Sequence, residues 1–236
     1  MDGVEAVIEI GIIGHGFMAS AHARAWTMAP QVFDLELTPH VAVLAGREQQ
    51  RTAAAASRLR IDQTSADWRE VIADDRIQVI DVCTPVDSHA EIVSAALAAG
   101  KHVLCEKPLS LNAAESARLA AAAEIALNRG IVSMVGYNYR RVPALQVARS
   151  LCQDGDIGRI RQIRMRYLQD WLAASEAPWS WRLDAKQAGA GALGDIGSHL
   201  IDLAQFLIDD PLESVVASAG TAVHRRPTSS GSELRE

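Results

Sequence analysis

Val7-Ile8-Glu9-Ile10-Gly11-Ile12-Ile13-Gly14-His15-Gly16-Phe17-Met18-Ala19 is the stretch that decides the fold. Its first seven residues are mostly apolar, as suits a parallel strand covered on both faces. The chain then runs through Gly14-x-Gly16-x-x-Ala19 into an Ala-rich segment that reads as a helix ending before Pro30. A glycine turn between strand and helix is the setting in which a dinucleotide pyrophosphate binds at a helix N-terminus. Gly14 suits the tight turn, Gly16 the close approach of phosphate, and Ala19 the packing of helix on strand. An incidental glycine turn is the competing reading.

Outward from that stretch the same rhythm repeats. A second strand is expected over residues 37–45, followed by a helix through the alanine run 53–56. Asp67 is placed to cap a short helix after it. Residues 77–83 form the next apolar strand, broken by Thr84-Pro85, and residues 86–99 have helical periodicity closed by Gly100. Lys101-His102-Val103-Leu104-Cys105-Glu106-Lys107-Pro108 reads as a strand with a polar tripeptide at its carboxyl end. A helix over 113–128 and a strand over 131–135 complete the series. Such alternation implies βαβ units and a doubly wound parallel sheet. Ligands of open α/β sheets bind beyond the carboxyl ends of the strands, so Glu106 and Lys107 face the crevice served by the Gly14–Gly16 turn. Beyond Gly136 the rhythm changes. A helix is expected over 143–153, an antiparallel strand over 160–168, a Trp- and Gly-rich loop, and a helix over 195–208. The polar stretch 224–236 reads as a frayed tail. The expected architecture is therefore an α/β nucleotide-binding domain, residues 1–136. An α+β domain with an antiparallel sheet, residues 137–236, follows it.

Composition narrows the function classes. With 49% apolar residues in 236, the chain can bury one large core or two small ones. A net charge of −6 without any basic block argues against a nucleic-acid surface. Cys83, Cys105 and Cys152 are scattered without a CxxC pair, so reduced thiols and a cytoplasmic protein are expected. The acidic start (Asp2, Glu5, Glu9) lacks the basic region of a signal peptide, and no apolar run reaches the length of a membrane span.

Three further motifs carry chemistry. The second strand ends in Ala45-Gly46-Arg47-Glu48, where an acid usually binds the adenosine ribose. Arg47 there suits a 2′-phosphate and leans the choice toward NADP; Glu48 in the ribose role, or a merely solvated Arg47, are the alternatives. Thr84-Pro85-x-Asp87-x-His89 lies on the same edge, where His89 either approaches the ribose or nicotinamide or serves in capping and packing. Gly191-Ala192-Leu193-Gly194-Asp195-Ile196-Gly197-Ser198-His199 places Asp195 and His199 four apart on one helical face. A carboxylate beside an imidazole can orient it as a general base, and an ordinary helix pair is the competing reading. No third ligand has convincing spacing for a metal, and none is assigned.

Together, Gly14-His15-Gly16-Phe17-Met18-Ala19, Cys105-Glu106-Lys107-Pro108 and the Gly191–His199 segment resemble the Gfo/Idh/MocA family of NAD(P)-dependent oxidoreductases. Gly136-Tyr137-Asn138-Tyr139-Arg140-Arg141-Val142-Pro143 resembles the segment that opens the family's second domain. The resemblance implies a Rossmann domain and hydride transfer between NAD(P) and a secondary alcohol of a sugar, inositol or related polyol. It makes Lys107 the active-site lysine, His199 the general base, and Asp195 the residue that positions substrate and histidine. It implies cofactor contacts from Gly14, Gly16, Phe17, Met18, Arg47, Thr84, Pro85, His89, Glu106 and Lys107. Tyr167, Trp179, Trp181 and Arg182 become candidates to line the sugar pocket by their place in the chain, with a core role for the tryptophans as the equal alternative. Members of the family run longer and complete a large antiparallel sheet that often mediates dimers or tetramers. Only the first strand or two of that sheet is expected here, and a non-catalytic NAD(P)-binding or sensing protein is the alternative that this raises.

Overall fold

A computed structural model describes residues 6–228 and the backbone of Leu234–Arg235. The expectation for the acidic start at Asp2 and Glu5, and for residues 229–233 and 236 of the tail, lies outside the described residues. The chain forms two compact units, Met1–Gly136 and Tyr137–Glu236.

The first unit is a parallel sheet of β1 (Val7–Ile13), β2 (Thr38–Ala45), β3 (Gln63–Ser65), β4 (Val79–Val82), β5 (His102–Cys105) and β6 (Ser133–Val135), in the order β3-β2-β1-β4-β5-β6. Five helices cover it: α1 (Phe17–Val32), α2 (Gln49–Leu59), α3 (Trp68–Ala73), α4 (His89–Ala98) and α5 (Ala113–Leu127). The two-residue period of the strands divides the core between the two faces. Ile10, Ile12 and Leu44 pack with Ala19 and Ala23 of α1 and Ala55 and Ala56 of α2. Ile13, Val43, Ala45, Ile80 and Val82 turn to the other face, among Val71, Ile92, Val93 and Leu119. Burial on both faces is why these strands read as near-continuous apolar runs. Two expectations need correction. The short edge strand β3 (Gln63-Thr64-Ser65) carries no apolar signal and was not foreseen. Helix α1 passes through Pro30 to Val32, because a proline in the last turn removes a single donor, and Phe33 N–H still closes on Ala29 O at 2.9 Å.

The register of the strands places the functional edge. Ile13 is level with Ala45 and Val82, Val82 with Cys105, and Cys105 with Val135. The residues that follow, Gly14, Gly46, Cys83, Glu106 and Gly136, therefore stand in one row along the carboxyl crest. Hydrogen bonds extend the ladder into that row: Gly14 N–H to Ala45 O at 2.8 Å, Cys83 N–H to Ile13 O at 2.8 Å, and Glu106 N–H to Val82 O at 2.9 Å.

One charge lies at the centre of this unit. Asp81 of β4 is 0% exposed. It accepts from the Trp26 indole N–H at 2.8 Å and from His22 Nδ1 at 2.9 and 3.0 Å. On its other side, His22 Nε2 stands 3.2 Å from Glu106 Oε1. Ala19, His22, Ala23 and Trp26 follow the 0, 3, 4, 7 spacing of an inward helical face, which puts both donors over β4. An imidazole that serves two carboxylates from both nitrogens is an imidazolium. Burial by itself lowers the His22 pKa, but the Asp81 and Glu106 carboxylates outweigh it and push the value up to about 10.

In the second unit, α6 (Pro143–Gln153), the short α7 (Ala185–Ala188) and α8 (Ser198–Ile208) are the helices. A π-helical turn, Leu193–Gly197, leads into α8. Arg149 of α6 donates to Phe206 O at 2.9 Å, its guanidinium lies 4.6 Å from the Phe206 ring centroid, and it pairs with Asp209 at 3.1 Å, so α6 and α8 are laced together. The strand expected over 160–168 is not formed: no neighbouring strand among the described residues takes up its backbone groups. Part of the supposed frayed tail is ordered. Arg226–Pro227 (β7) pairs antiparallel with Leu234–Arg235 (β8), and the buried Arg226 guanidinium donates to Leu172 O at 2.6 Å and Ala174 O at 2.7 Å.

The raised His22 pKa links stability to pH. A histidine that titrates near 6.5 when unfolded and near 10 when folded contributes stability fully below pH 6.5, lost as pH rises through 10. The unfolding free energy from urea titrations should fall by up to about 1.4 kcal/mol per pH unit over that window. His22→Gln should flatten the slope; equal slopes in both proteins would show that His22 is not the linked group.

Candidate functional site

The crest of the first unit is built for an anionic ligand. Gly14 adopts φ +117°, and a Cβ there would lie 2.6 Å from Cys83 O, so the tight turn excludes any side chain. Gly16 is the N-cap of α1, no side chain caps the helix, and a Cβ added to Gly16 meets nothing within 4 Å. Uncapped N–H groups at a helix start, with open space before them, fit a pyrophosphate. Phe17 is 80% exposed beside this turn and Met18 is half-buried. On the adenosine side, Arg47 is exposed, while the Glu48 carboxylate is engaged by Arg51 at 2.9 Å. His15 sits 3.4 Å from Thr52 Oγ1, and burial, then the charge of Arg51, hold its pKa below the usual value.

Two expected cofactor contacts turn inward. His89 is 1% exposed, with Nδ1 2.9 Å from Pro108 O and Nε2 2.9 Å from Thr84 O. It staples the loop after β4 to the loop after β5, with both ring nitrogens on backbone carbonyls. Glu106 is also buried, with its carboxylate on His22 rather than in the crevice. The crevice side of that turn falls to Lys107, which is partly exposed; the Lys107–Pro108 peptide is cis. Thr84 and Pro85 stay at the edge, with Thr84 Oγ1 accepting from Ser88 Oγ at 2.7 Å.

In the second unit His199 is buried at 7% exposure within a shell of three tyrosines, of which Tyr167 is a predicted residue. Tyr139 stacks on its ring at 4.4 Å, Tyr137 meets it edge-on at 5.9 Å, and Tyr167 lies 6.2 Å away. The Tyr139 and Tyr167 hydroxyls are hydrogen-bonded to each other, which pushes the Tyr139 phenol up to about 12 and keeps it protonated at neutral pH. Asp195 lies in the π-helical turn, 3.7 Å from Arg182 Nε, and the Arg182 guanidinium lies 4.7 Å from the Trp181 ring centroid. Trp179 instead holds the backbone of the tail, donating its N–H to Pro227 O at 2.7 Å. The segment carrying Tyr137 and Tyr139 is fixed by Arg140, whose guanidinium forks onto buried Asp202 of α8 at 2.5–3.0 Å.

Sequence reading assigned no role to His22, Asp81, Tyr137, Tyr139 or Asp202. The signal for the first pair was an acid inside the apolar run Val79–Val82, which demands a partner. His22, Asp81 and Cys83 also bring donor atoms within 4.8 Å of one another. Ligation needs a neutral imidazole and a thiolate, whereas His22 is held protonated and burial, then Asp81, raise the Cys83 thiol well above its usual pKa. Among the described residues no helix is long and apolar enough to cross a membrane.

Known proteins share this architecture. Residues 8–137 match the family model described as the oxidoreductase family with an NAD-binding Rossmann fold, and residues 145–233 match the GFO/IDH/MocA C-terminal domain. Levoglucosan dehydrogenase of Pseudarthrobacter phenanthrenivorans is 41% identical over 95% of this chain and 57% of its own length. Myo-inositol 2-dehydrogenase of Thermotoga maritima is 26% identical over 92% of this chain and 59% of its own length. The crystal structure of an oxidoreductase domain protein from Kribbella flavida superposes with a TM-score of 0.92 at 53% identity, covering 95% of this chain and 58% of that one. Levoglucosan dehydrogenase in complex with NADH and levoglucosan superposes with a TM-score of 0.89 at 41% identity, covering 94% and 59%. The chain thus spans a little over half the length of these relatives. With both family models matched in sequence order and the glycine turn seated at the crest of a Rossmann sheet, the chain belongs to the Gfo/Idh/MocA family of oxidoreductases.

Proposed function

We propose that the chain serves an NAD(P)-dependent dehydrogenase that transfers hydride between the cofactor and a secondary alcohol of a sugar, inositol or related polyol. The observation that carries this reading is the crest itself: an uncapped α1 N-terminus behind the Gly14–Gly16 turn, with Lys107 one residue past the row at the end of β5. The α1 N–H groups would hold the pyrophosphate, with Phe17, Met18, Thr84 and Pro85 flanking the cofactor. A nicotinamide ring bound on the β4–β5 side supplies the hydride acceptor.

The chain's own residues then divide the remaining work. His199 takes the hydroxyl proton of the substrate as hydride departs from the carbon. Lys107 stabilises negative charge developing on that oxygen, a role of the kind that contributes about 10²–10³-fold to turnover. Asp195 and Arg182 form a charged pair suited to hold sugar hydroxyls, and Trp181 and Tyr167 offer the flat faces that pyranose and cyclitol rings favour. Relatives named for levoglucosan and myo-inositol support polyhydroxylated ring substrates. Assembly as a dimer or tetramer belongs to the same reading for a protein whose second domain is complete.

Cofactor choice rests on the end of β2. The relative crystallised with NADH supports binding of NAD, and the exposed Arg47 supports acceptance of NADP as well. In thermal-shift titrations both dinucleotides should raise the melting temperature, as ligands selective for the folded state must. Arg47→Ala should weaken NADP⁺ about tenfold, the loss of one charge-assisted phosphate contact, and leave NAD⁺ within about twofold. No shift with either dinucleotide would remove the nucleotide site. For the chemistry, Lys107→Ala should lower kcat on levoglucosan or myo-inositol by about 10²–10³-fold with the melting temperature nearly unchanged. Unaltered turnover in that variant would take Lys107 out of the site.

A further inference from the structure

His22 does more than neutralise a buried acid. Three elements of the crest meet on its ring: α1, which carries the pyrophosphate turn; β4, through Asp81; and the residue after β5, Glu106. The groups facing the ring are Asp81 of β4, Cys83 just after it, Glu106 just after β5, and Trp26 on its own helix, which bonds the same Asp81. Glu106 is confined from the other side too. A Cβ added to Gly136 would stand 3.1 Å from Glu106 Oε1, so glycine at the end of β6 leaves just enough space for this carboxylate. Its backbone is fixed by the bond from Glu106 N–H to Val82 O at 2.9 Å.

We propose that His22 is a positioning residue for the nicotinamide half of the cofactor site: by drawing the Glu106 carboxylate under the crest, it sets the Glu106–Lys107 turn. The inference rests on the dinucleotide reading given above. Without the His22–Glu106 pair, the Glu106–Lys107 turn loses its tie to α1 and shifts on the nicotinamide side. The adenosine end, on the β1–β2 side of the topological switch, lies away from the Glu106–Lys107 turn, and the Trp26–Asp81 bond still holds α1 when His22 is changed. The device therefore acts on one half of the ligand only.

That asymmetry separates positioning from bulk stabilisation. NADH and ADP-ribose, which lacks the nicotinamide ring, would be titrated against the full chain as wild type, His22→Gln, Glu106→Gln and the double variant. We expect His22→Gln to weaken NADH about tenfold and ADP-ribose less than twofold, with Glu106→Gln behaving alike. The double variant should be no weaker than the weaker single one, because the two side chains act as a unit. Equal losses for both ligands, an unchanged NADH affinity, or additive losses would each overturn the proposal. Should His22→Gln fail to fold, Glu106→Gln decides by itself, since it leaves the His22–Asp81 pair in place. A wild-type chain that binds neither ligand would instead sink the dinucleotide reading, visible before any substitution is made.

Discussion

A carboxylate sealed inside the sheet is the constraint on which the first unit depends. Asp81 stands on a strand whose other residues are all apolar, and it is shut off from water. An ionised acid there without partners costs several kcal/mol, and loss of one partner from such a pair typically costs about 3–5 kcal/mol. Trp26 and His22 meet that demand from one helical face, and the charge of His22 extends the tie to Glu106. The same interaction thus fixes how α1 lies on the sheet and where the turn after β5 points. Apolar packing of Ala19 and Ala23 sets the distance of the helix; the ion pair sets its rotation and register.

Much of this was legible in the sequence. Strand–helix alternation gave the parallel sheet because strands covered on both faces are apolar throughout, and glycines at the turns marked the ligand edge. Strand β3 was not legible, since an edge strand of Gln63-Thr64-Ser65 forms by pairing with β2 and needs no burial of its own. The inward fates of His89 and Glu106 escaped for a related reason. Sequence position put both on the crest, but which way a side chain turns depends on partners far away in the chain: Pro108 for His89 and His22 for Glu106. Periodicity finds faces; it does not find hydrogen-bond partners.

The second unit shows the same limit in another form. Asp195 and His199 read as one helical face, yet a π-helical turn carries the acid, with Arg182 as a charge partner. The aromatic shell of His199 comes from Tyr137 and Tyr139, roughly sixty residues upstream, and is held by the Arg140–Asp202 fork. No local pattern announces that arrangement. The segment 160–168 alternates as a strand should, yet alternation describes only side-chain faces, and a strand also needs a neighbour to bond.

Arg226 illustrates a different economy. Its guanidinium collects the carbonyls of Leu172, Ala174 and Ala177, all about fifty residues upstream. Joining two points so far apart has an entropic cost that grows only with the logarithm of the loop length. Once the first carbonyl is captured, the other two are already at high effective concentration and bind with little further loss of freedom. Arg226 is in this sense a chelator of main-chain oxygen, and the irregular segment between Trp171 and Trp181 gains definition from multivalency rather than from secondary structure.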